Sequence, residues 1–385
     1  MSAKTLIASS LDVLRRVVSE ECAAPAWRAK QLVDSLYGKR RARAIEDMEL
    51  LPREMRRAME NAGWSTGRLD VVNGSLGRDG AGKISVRVGE RELVEAVGIP
   101  DASCYARDGS GEVLGRADVE TMFRGVDGWD KNRLTACVSS QVGCAMKCSF
   151  CATGLQGFKR NLSASEIVSQ VLELEELYGK RVSDVVFMGM GEPMLNMKAV
   201  VGAIRCLNED IGIGGRHITV STVGIPNSLA KLAKEKLQAT LAISLHAPDQ
   251  ETRLRIVPSA KHYPYEDLLD DVKMYFRETG RRVTFEYTLL AGVNDSPSQA
   301  QALSRILKRK FGAGAHLNVI PWNLIEGVDH VKPSRNAVHR FCGALGGISH
   351  TIRRTRGDDV SAACGMLTGD FERRSLGRRS MNAEL

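Results

Sequence analysis

The chain has 385 residues, 43% of them apolar and 26% charged, with a formal net charge of +8. That length suffices for two to three ordinary domains or one large α/β barrel with an extension, and the composition supports a true core. No run of about eighteen apolar residues occurs, which excludes a membrane-spanning helix, and the excess of basic side chains favours a polyanionic partner.

The first sixty or so residues read as helices. Trp27, Leu32 and Leu36 recur at near-helical spacing after Pro25, which suits a first helical turn, and 46–62 reads as a second helix. The run Lys39-Arg40-Arg41-Ala42-Arg43 between them either touches phosphate or forms a solvated loop. Short alternating stretches at 68–72, 83–88 and 93–97, separated by glycines, predict a small antiparallel sheet. Residues 99–118 read as a loop or insertion. The N-terminus lacks a secretory core, so a cytoplasmic protein, or one in an organellar stroma or matrix, is expected.

From Leu134 onward β-rich runs alternate with helical ones. Strands are expected at 134–138, 184–188, 217–222, 239–245, 283–289, 316–320 and 351–355. Helices are expected at 163–178, 196–208, 227–236, 265–278, 298–310 and 334–345, the first opened by a Ser163/Glu166 capping box. The alternation predicts an α/β fold with a parallel sheet, open or curled into a barrel. The expected division is 1–98 as an accessory unit of helices and a small β-sheet, 99–133 as a connection with an insertion, 134–370 as the core and 371–385 as a basic tail. Neither a dinucleotide-binding glycine fingerprint nor a phosphate-binding loop is present.

Chemistry in such folds sits at the C-terminal ends of the strands. Those ends are Gly143–Cys151, Met188–Pro193, Ser221–Gly224, Ser244–His246 and Ile320–Asn323. Cys144, Cys148 and Cys151 put three thiols on one short loop, one fewer than a closed four-ligand metal site takes, which leaves a position open for substrate or cofactor. Structural thiols or a zinc knuckle are the alternative, although zinc sites usually come as two CxxC pairs and no second pair exists here. Gly189 and Gly191 allow close backbone approach to a ligand. Glu192 can accept from an amine or hydroxyl, and Ser221, Ser244 and Asn323 offer short polar contacts. His246 fits a hydrogen-bonding role better than a metal ligand. Cys137 points at the same rim, and Cys364 lies in a basic, glycine-containing loop of a kind that lowers a thiol's pKa. From spacing alone, the alternative for these two is a pair of buried thiols without consequence.

The string from Cys137 through Gly154, Met188-Gly-Met-Gly-Glu-Pro193, Ser244-Leu-His-Ala-Pro248, Phe285-Glu-Tyr287, Gly292-Val-Asn-Asp-Ser296, Ile320-Pro-Trp-Asn323 and Arg354-Thr-Arg-Gly-Asp-Asp359 resemble, in order, the dual-specificity RNA adenine-C2 methyltransferases of the radical S-adenosylmethionine (SAM) superfamily. Pro25–Gln31 also matches, so the resemblance spans nearly the whole chain. It implies a partial (β/α) barrel of the radical SAM type. Cys144, Cys148 and Cys151 would hold a [4Fe–4S] cluster whose fourth iron binds SAM, in a pocket of Gly191, Glu192, Ser221, Ser244, Leu245, His246 and Asn323. It further implies that Cys364 carries the methyl group, Cys137 resolves the RNA–protein adduct through a disulfide, and Glu120 accepts the proton. A few additional residues, around Gly125 to Lys131, stand between Glu120 and Cys137. The implied partners are 23S rRNA and tRNA, with a flavodoxin- or ferredoxin-like electron donor, and the implied state is a monomer. Two other readings are a sister enzyme acting at carbon 8 and a non-catalytic iron–sulfur or zinc-bound RNA-binding protein.

Overall fold

A computed structural model describes residues 4–38, 41–101, 104–107, 111–128 and 133–369. The expected basic tail, Lys39 and Arg40 lie outside them. Among these residues an eleven-stranded sheet organises the molecule. Its parallel part runs Leu134–Cys137, Asp184–Phe187, Ile218–Thr222, Thr240–Ser244, Val283–Leu289, Ala315–Pro321 and Ser349–Ile352, in chain order across the sheet. Most of these strands are largely buried because helices cover one face and the interior the other, whereas the edge strand Ser349–Ile352 is exposed. The covering helices include Ala164–Tyr178, Met197–Arg205, Tyr265–Thr279, Pro297–Phe311 and Arg335–Ala344. The first is opened by the expected reciprocal cap: Ser163 Oγ accepts from the Glu166 amide at 3.1 Å, and Glu166 accepts from the Ser163 amide at 2.7 Å.

The antiparallel strands Asp70–Leu76, Gly82–Val88 and Glu92–Pro100 do not stand apart as a separate small sheet. Glu92–Pro100 pairs antiparallel with Leu134–Cys137, so they continue the parallel sheet past its first strand, ending at Gly111–Leu114. The segment read as a loop at 99–118 contains that last strand and the start of a helix, Arg116–Phe123. Two more short helices, Ala152–Gln156 and Gln250–Ile256, and a ribbon pairing Gln141–Gly143 with Phe158–Asn161 also escaped the sequence reading.

Near the N-terminus, helices Arg28–Tyr37 and Arg53–Asn61 bury Leu32, Leu36, Met55 and Met59. Trp27 precedes the first helix and is exposed, with the Arg28 guanidinium 4.7 Å from its ring centroid. The described part of the basic run is not a solvated loop. Arg41 pairs with Glu175, and Arg43 reaches the fully buried Glu173 at 2.8 Å and Glu176 at 3.2 Å. Arg68 and Arg116 join the same carboxylates, Glu173 at 2.7 and 2.6 Å. The N-terminal segment, the antiparallel strands and the Arg116–Phe123 helix therefore share one anchor on helix Ala164–Tyr178. No helix among the described residues is long and apolar enough to cross a membrane.

Candidate active site

The C-terminal strand ends open into a single cavity. Its lining includes Cys144, Cys148, Cys151, Gly191, Glu192, Ser221, Ser244, His246, Asn323 and Cys364. Ten of the residues singled out from sequence thus meet around one space. Leu245, Cys137 and Glu120 are not among its lining.

The thiol loop is framed by the Gln141–Gly143/Phe158–Asn161 ribbon. Cys144 N donates to Gly157 O at 2.9 Å, and a Cβ on Gly143, at φ +73°, would lie 1.9 Å from that same oxygen. On the other side Ser149 N donates to Ile256 O at 2.9 Å, Ala152 N to Gly365 O at 2.8 Å, and the Trp322 indole to Phe150 O at 2.9 Å. The loop is therefore fixed to the cysteine-bearing C-terminal segment and to the Gln250–Ile256 helix at once. Burial pushes the Cys144 thiol up to about 12 and raises Cys148 well above the ordinary range, with the neighbouring thiols adding to both. A bound cation would reverse that balance by stabilising the thiolates. Among the described residues no three such side chains converge on a single-ion site. Three soft donors spread along one cavity wall suit a multi-iron cluster, and the residues present fit that group.

Gly189 and Gly191 serve close approach, but to the chain itself. A Cβ on Gly189 would meet Val138 O at 2.7 Å, and one on Gly191, at φ +102°, would meet Gln141 Cβ at 2.5 Å. Glu192 is buried, and desolvation raises its pKa. Its two oxygens accept from the Met194 and Val223 amides, both at 2.9 Å, so a ligand amine would use the remaining lone pairs. Ser221 and Ser244 hydroxyls lie 3.1 Å apart on adjacent strands. His246 Nδ1 accepts from Thr288 N at 3.0 Å, its ring stands edge-on to Phe150, and burial drives its pKa to about 3. It is a neutral imidazole whose Nε2 carries the proton. Leu245 is fully buried and acts through its backbone, donating to Glu286 O at 3.1 Å. Beside these strand ends Arg253, which sequence reading passed over, donates from one Nη to Ser244 O at 3.0 Å and also to the Leu245 and Val223 carbonyls.

Cys364 opens onto the cavity, its carbonyl held by Asn323 Nδ2 at 3.2 Å. The basic loop does not lower its pKa as expected. The residue is itself exposed, and it is the surrounding cavity walls that push its thiol up to about 11, against Arg353, which acts in the opposite sense, while Cys151 and Glu286 raise it further. Cys137 is pushed up to about 12, first by burial and then by Cys364, so the two thiols are electrostatic neighbours across the rim. Both are free.

Glu120 sits elsewhere. It is on the Arg116–Phe123 helix, its carboxylate 2.7 Å from Arg116 Nε. A different, buried carboxylate lies on the Cys137 side of the sheet. Glu95, 4% exposed, lies on the strand antiparallel to that of Cys137, and Val97 is the register partner of Cys137, so Glu95 and Cys137 share a sheet face. Its carboxylate pairs with Lys83 at 3.0 Å and accepts from the Thr368 amide at 2.7 Å and the Gly369 amide at 3.3 Å, just beyond Cys364. The sequence signal for it was a lone acid in the apolar run Leu93-Val94-Glu95-Ala96-Val97, a position a solvent-facing side chain would equally occupy.

A parallel β/α sheet with a three-thiol loop after its first parallel strand, facing a cavity at the strand ends, defines a radical SAM enzyme. The Radical SAM superfamily model matches residues 138–300 accordingly. A probable dual-specificity RNA methyltransferase RlmN of Synechococcus sp. (strain JA-2-3B'a(2-13)) is 46% identical over 91% of both chains, and one of Gloeobacter violaceus is 45% identical over 98% of both. A crystal structure of a radical SAM methyltransferase from Sphaerobacter thermophilus covers 95% of this chain and 100% of its own, at TM-score 0.82 and 35% identity. The chain belongs to the dual-specificity RNA methyltransferase RlmN family.

Proposed function

We propose that this enzyme methylates carbon 2 of adenine in 23S rRNA, tRNA or both, through a methylated Cys364, and consumes two SAM per turnover. The observation that carries the reading is the convergence of Cys364 on the cavity already lined by Cys144, Cys148 and Cys151, with Cys137 as its electrostatic neighbour. A radical enzyme without a carrier thiol needs neither outlying cysteine. A [4Fe–4S] cluster held by Cys144, Cys148 and Cys151 would supply the electron that opens radical chemistry on SAM, which an unactivated ring carbon requires. Gly191, Glu192, Ser221, Ser244, Leu245, His246 and Asn323 would orient SAM, Leu245 through its backbone.

The chain's own residues then act in order. Cys364, as thiolate, takes a methyl group and presents it to the base. The adenine must leave its stack to reach that sulfur. Proton acceptance from the ring falls to Glu95, whose buried carboxylate already holds the segment that follows Cys364; Glu120 is ion-paired on an outer helix. The Cys137 thiolate attacks the Cys364 sulfur, releases the methylated base and leaves a Cys137–Cys364 disulfide, which an external thiol reduces. A low-potential donor of the flavodoxin or ferredoxin kind would serve the cluster. The N-terminal helices would meet RNA phosphate, and affinity falling with salt would mark those contacts.

Anaerobic turnover of reconstituted enzyme on RNA, followed by mass analysis of nucleosides, tests the reading. Methyl at carbon 2 is expected; methyl at carbon 8 assigns the sister activity. Cys364→Ala should abolish transfer, and product from that variant would overturn the carrier mechanism. Cys137→Ala should leave RNA covalently attached to the protein.

A further inference from the structure

The thiol loop has an outer face as well as a cavity face. Gly154, on the short helix Ala152–Gln156, packs so closely on the loop that a Cβ there would meet Cys148 O at 2.8 Å and Lys147 C at 3.3 Å. The next residue, Leu155, is 59% exposed. Cys144 N donates to Gly157 O at 2.9 Å, and the residue after Gly157 is Phe158, 47% exposed. Two of the three thiol-bearing residues therefore touch, through backbone, a residue whose neighbour is an apolar side chain in solvent. Further along the ribbon Asn161 Nδ2 donates to Leu195 O at 3.3 Å, and Leu195 is 40% exposed. None of these three apolar residues lines the cavity. Exposed apolar residues are ordinary singly; three set along one ribbon mark a contact surface.

The charges around the patch define the partner. Lys147, Lys159 and Lys198 are exposed and form no ion pair with any described residue. Arg160, on the same strand as Lys159, engages Glu92 at 2.5 Å and Glu166 at 2.8 Å, so those acids do not offset the lysines. An apolar centre with a lysine rim suits an acidic protein surface, and small interfaces serve electron-transfer encounters. RNA fits the patch less well. Its unstacked bases seek aromatic faces, of which the patch has one, and the base to be methylated must enter the cavity. An electron needed while SAM and base fill the cavity has to enter by a face outside its lining. We propose that Leu155, Phe158 and Leu195, with Lys147, Lys159 and Lys198, form the docking surface for an acidic, low-potential electron-carrier protein. One electron leaves the carrier and enters the cluster, with the Gly157–Cys144 hydrogen bond as the short path, and no bond is made or broken. The inference rests on the cluster being held by Cys144, Cys148 and Cys151.

The test uses the full chain with its cluster reconstituted and a bacterial flavodoxin as the probe. Lys159→Glu/Lys198→Glu should weaken flavodoxin binding about tenfold, read by titration calorimetry. Flavodoxin-driven SAM cleavage should fall with it, while dithionite-driven cleavage stays at the wild-type rate because that small reductant needs no docking surface. Hydrogen exchange on the wild type needs no variant: bound flavodoxin should slow exchange of the amides in 154–161. Protection confined to other segments would overturn the inference, as would undiminished flavodoxin affinity in the double variant, an equal loss with dithionite, or a loss of RNA affinity alone. In each of those cases the cluster is still present and its reading survives. Failure of the three thiols to load a cluster would instead overturn that reading.

Discussion

Glu95→Gln against Glu120→Gln separates two assignments of the proton acceptor. The glutamine at 95 keeps an oxygen for the Thr368 and Gly369 amides but removes the negative charge that pairs with buried Lys83 at 3.0 Å. Breaking a buried pair costs about 3–5 kcal/mol, a large share of the roughly 5–15 kcal/mol that holds a domain folded, so a lower denaturation midpoint is expected. The catalytic loss is separate. A positioned base contributes about 10²–10⁴ in rate, which is about 3–5 kcal/mol of barrier. Glu120 is about one-third exposed and its partner Arg116 is four residues back on the same helix, a pair worth at most about 0.5 kcal/mol, so Glu120→Gln should turn over within about twofold of wild type. The assay follows two products in one reaction: methyl on the Cys364 peptide and methyl-adenine in RNA, both by mass. Glu95→Gln should still methylate Cys364 while methyl-adenine falls at least a hundredfold. A Glu95→Gln enzyme with ordinary yield, or a Glu120→Gln enzyme without any, would falsify the reassignment.

Other consequences are as direct. Glu173 is fully buried and binds Arg43, Arg68 and Arg116 at 2.6–2.8 Å, so Glu173→Ala should cost about 3–5 kcal/mol in urea unfolding; a change below about 1 kcal/mol would mean the anchor contributes little. Gly143→Ala places a Cβ against Gly157 O at positive φ and should shift the ribbon that frames the thiol loop, lowering iron bound per chain after reconstitution; full iron loading would show that the loop tolerates it. Burial holds His246 at about 3 when folded, against 6.5 when free. Between those values the unfolded chain binds a proton that the folded chain does not, so stability is lost as pH falls below about 6.5. The site alone accounts for about 2 kcal/mol between pH 7 and pH 5. His246→Gln should reduce that difference by a similar amount, and an unchanged difference would argue that the imidazole charges in place.

Regular periodicity made most of the parallel sheet legible. The strand Val283–Leu289 and the capping box at Ser163 fall where the pattern put them, because apolar β-branched runs between capped amphipathic helices have few alternative packings. Gln250–Ile256 and Ala152–Gln156 are too short to show two turns of periodicity, and tertiary bonds such as Ser149 N to Ile256 O hold them instead. Asn323 follows from the strand-end rule and Cys364 from its basic loop, and the motif resemblance supplies the role of each. Glu95 and Arg253 were not assigned roles, since a charged residue in an apolar run declares its partner only in three dimensions. The pKa of Cys364 went the other way from its sequence context for the same reason. Loop charge is visible in sequence, and the desolvation that outweighs it is not.

The antiparallel strands read as accessory prove to hold the segment that bears Cys364. From the Asp70–Leu76/Gly82–Val88 hairpin turn, Asp79 receives Arg356 Nε at 2.7 Å and the Gly357 amide at 3.1 Å, and Asp359 in return accepts from Arg78 N at 3.0 Å. Glu95 takes the amides of Thr368 and Gly369 at the other end. Between those two fixings lies Cys364, with Asn323 on its carbonyl and the thiol loop's Ala152 on Gly365. Cys364 is thus positioned jointly by the antiparallel extension and the parallel sheet, and neither part alone would present it to the cavity. Among the described residues between Pro100 and Leu134, the Asp101 carbonyl also accepts from Arg356 Nη2 at 3.3 Å. The Arg116–Phe123 helix joins Glu173 and Glu176 of helix Ala164–Tyr178 through Arg116.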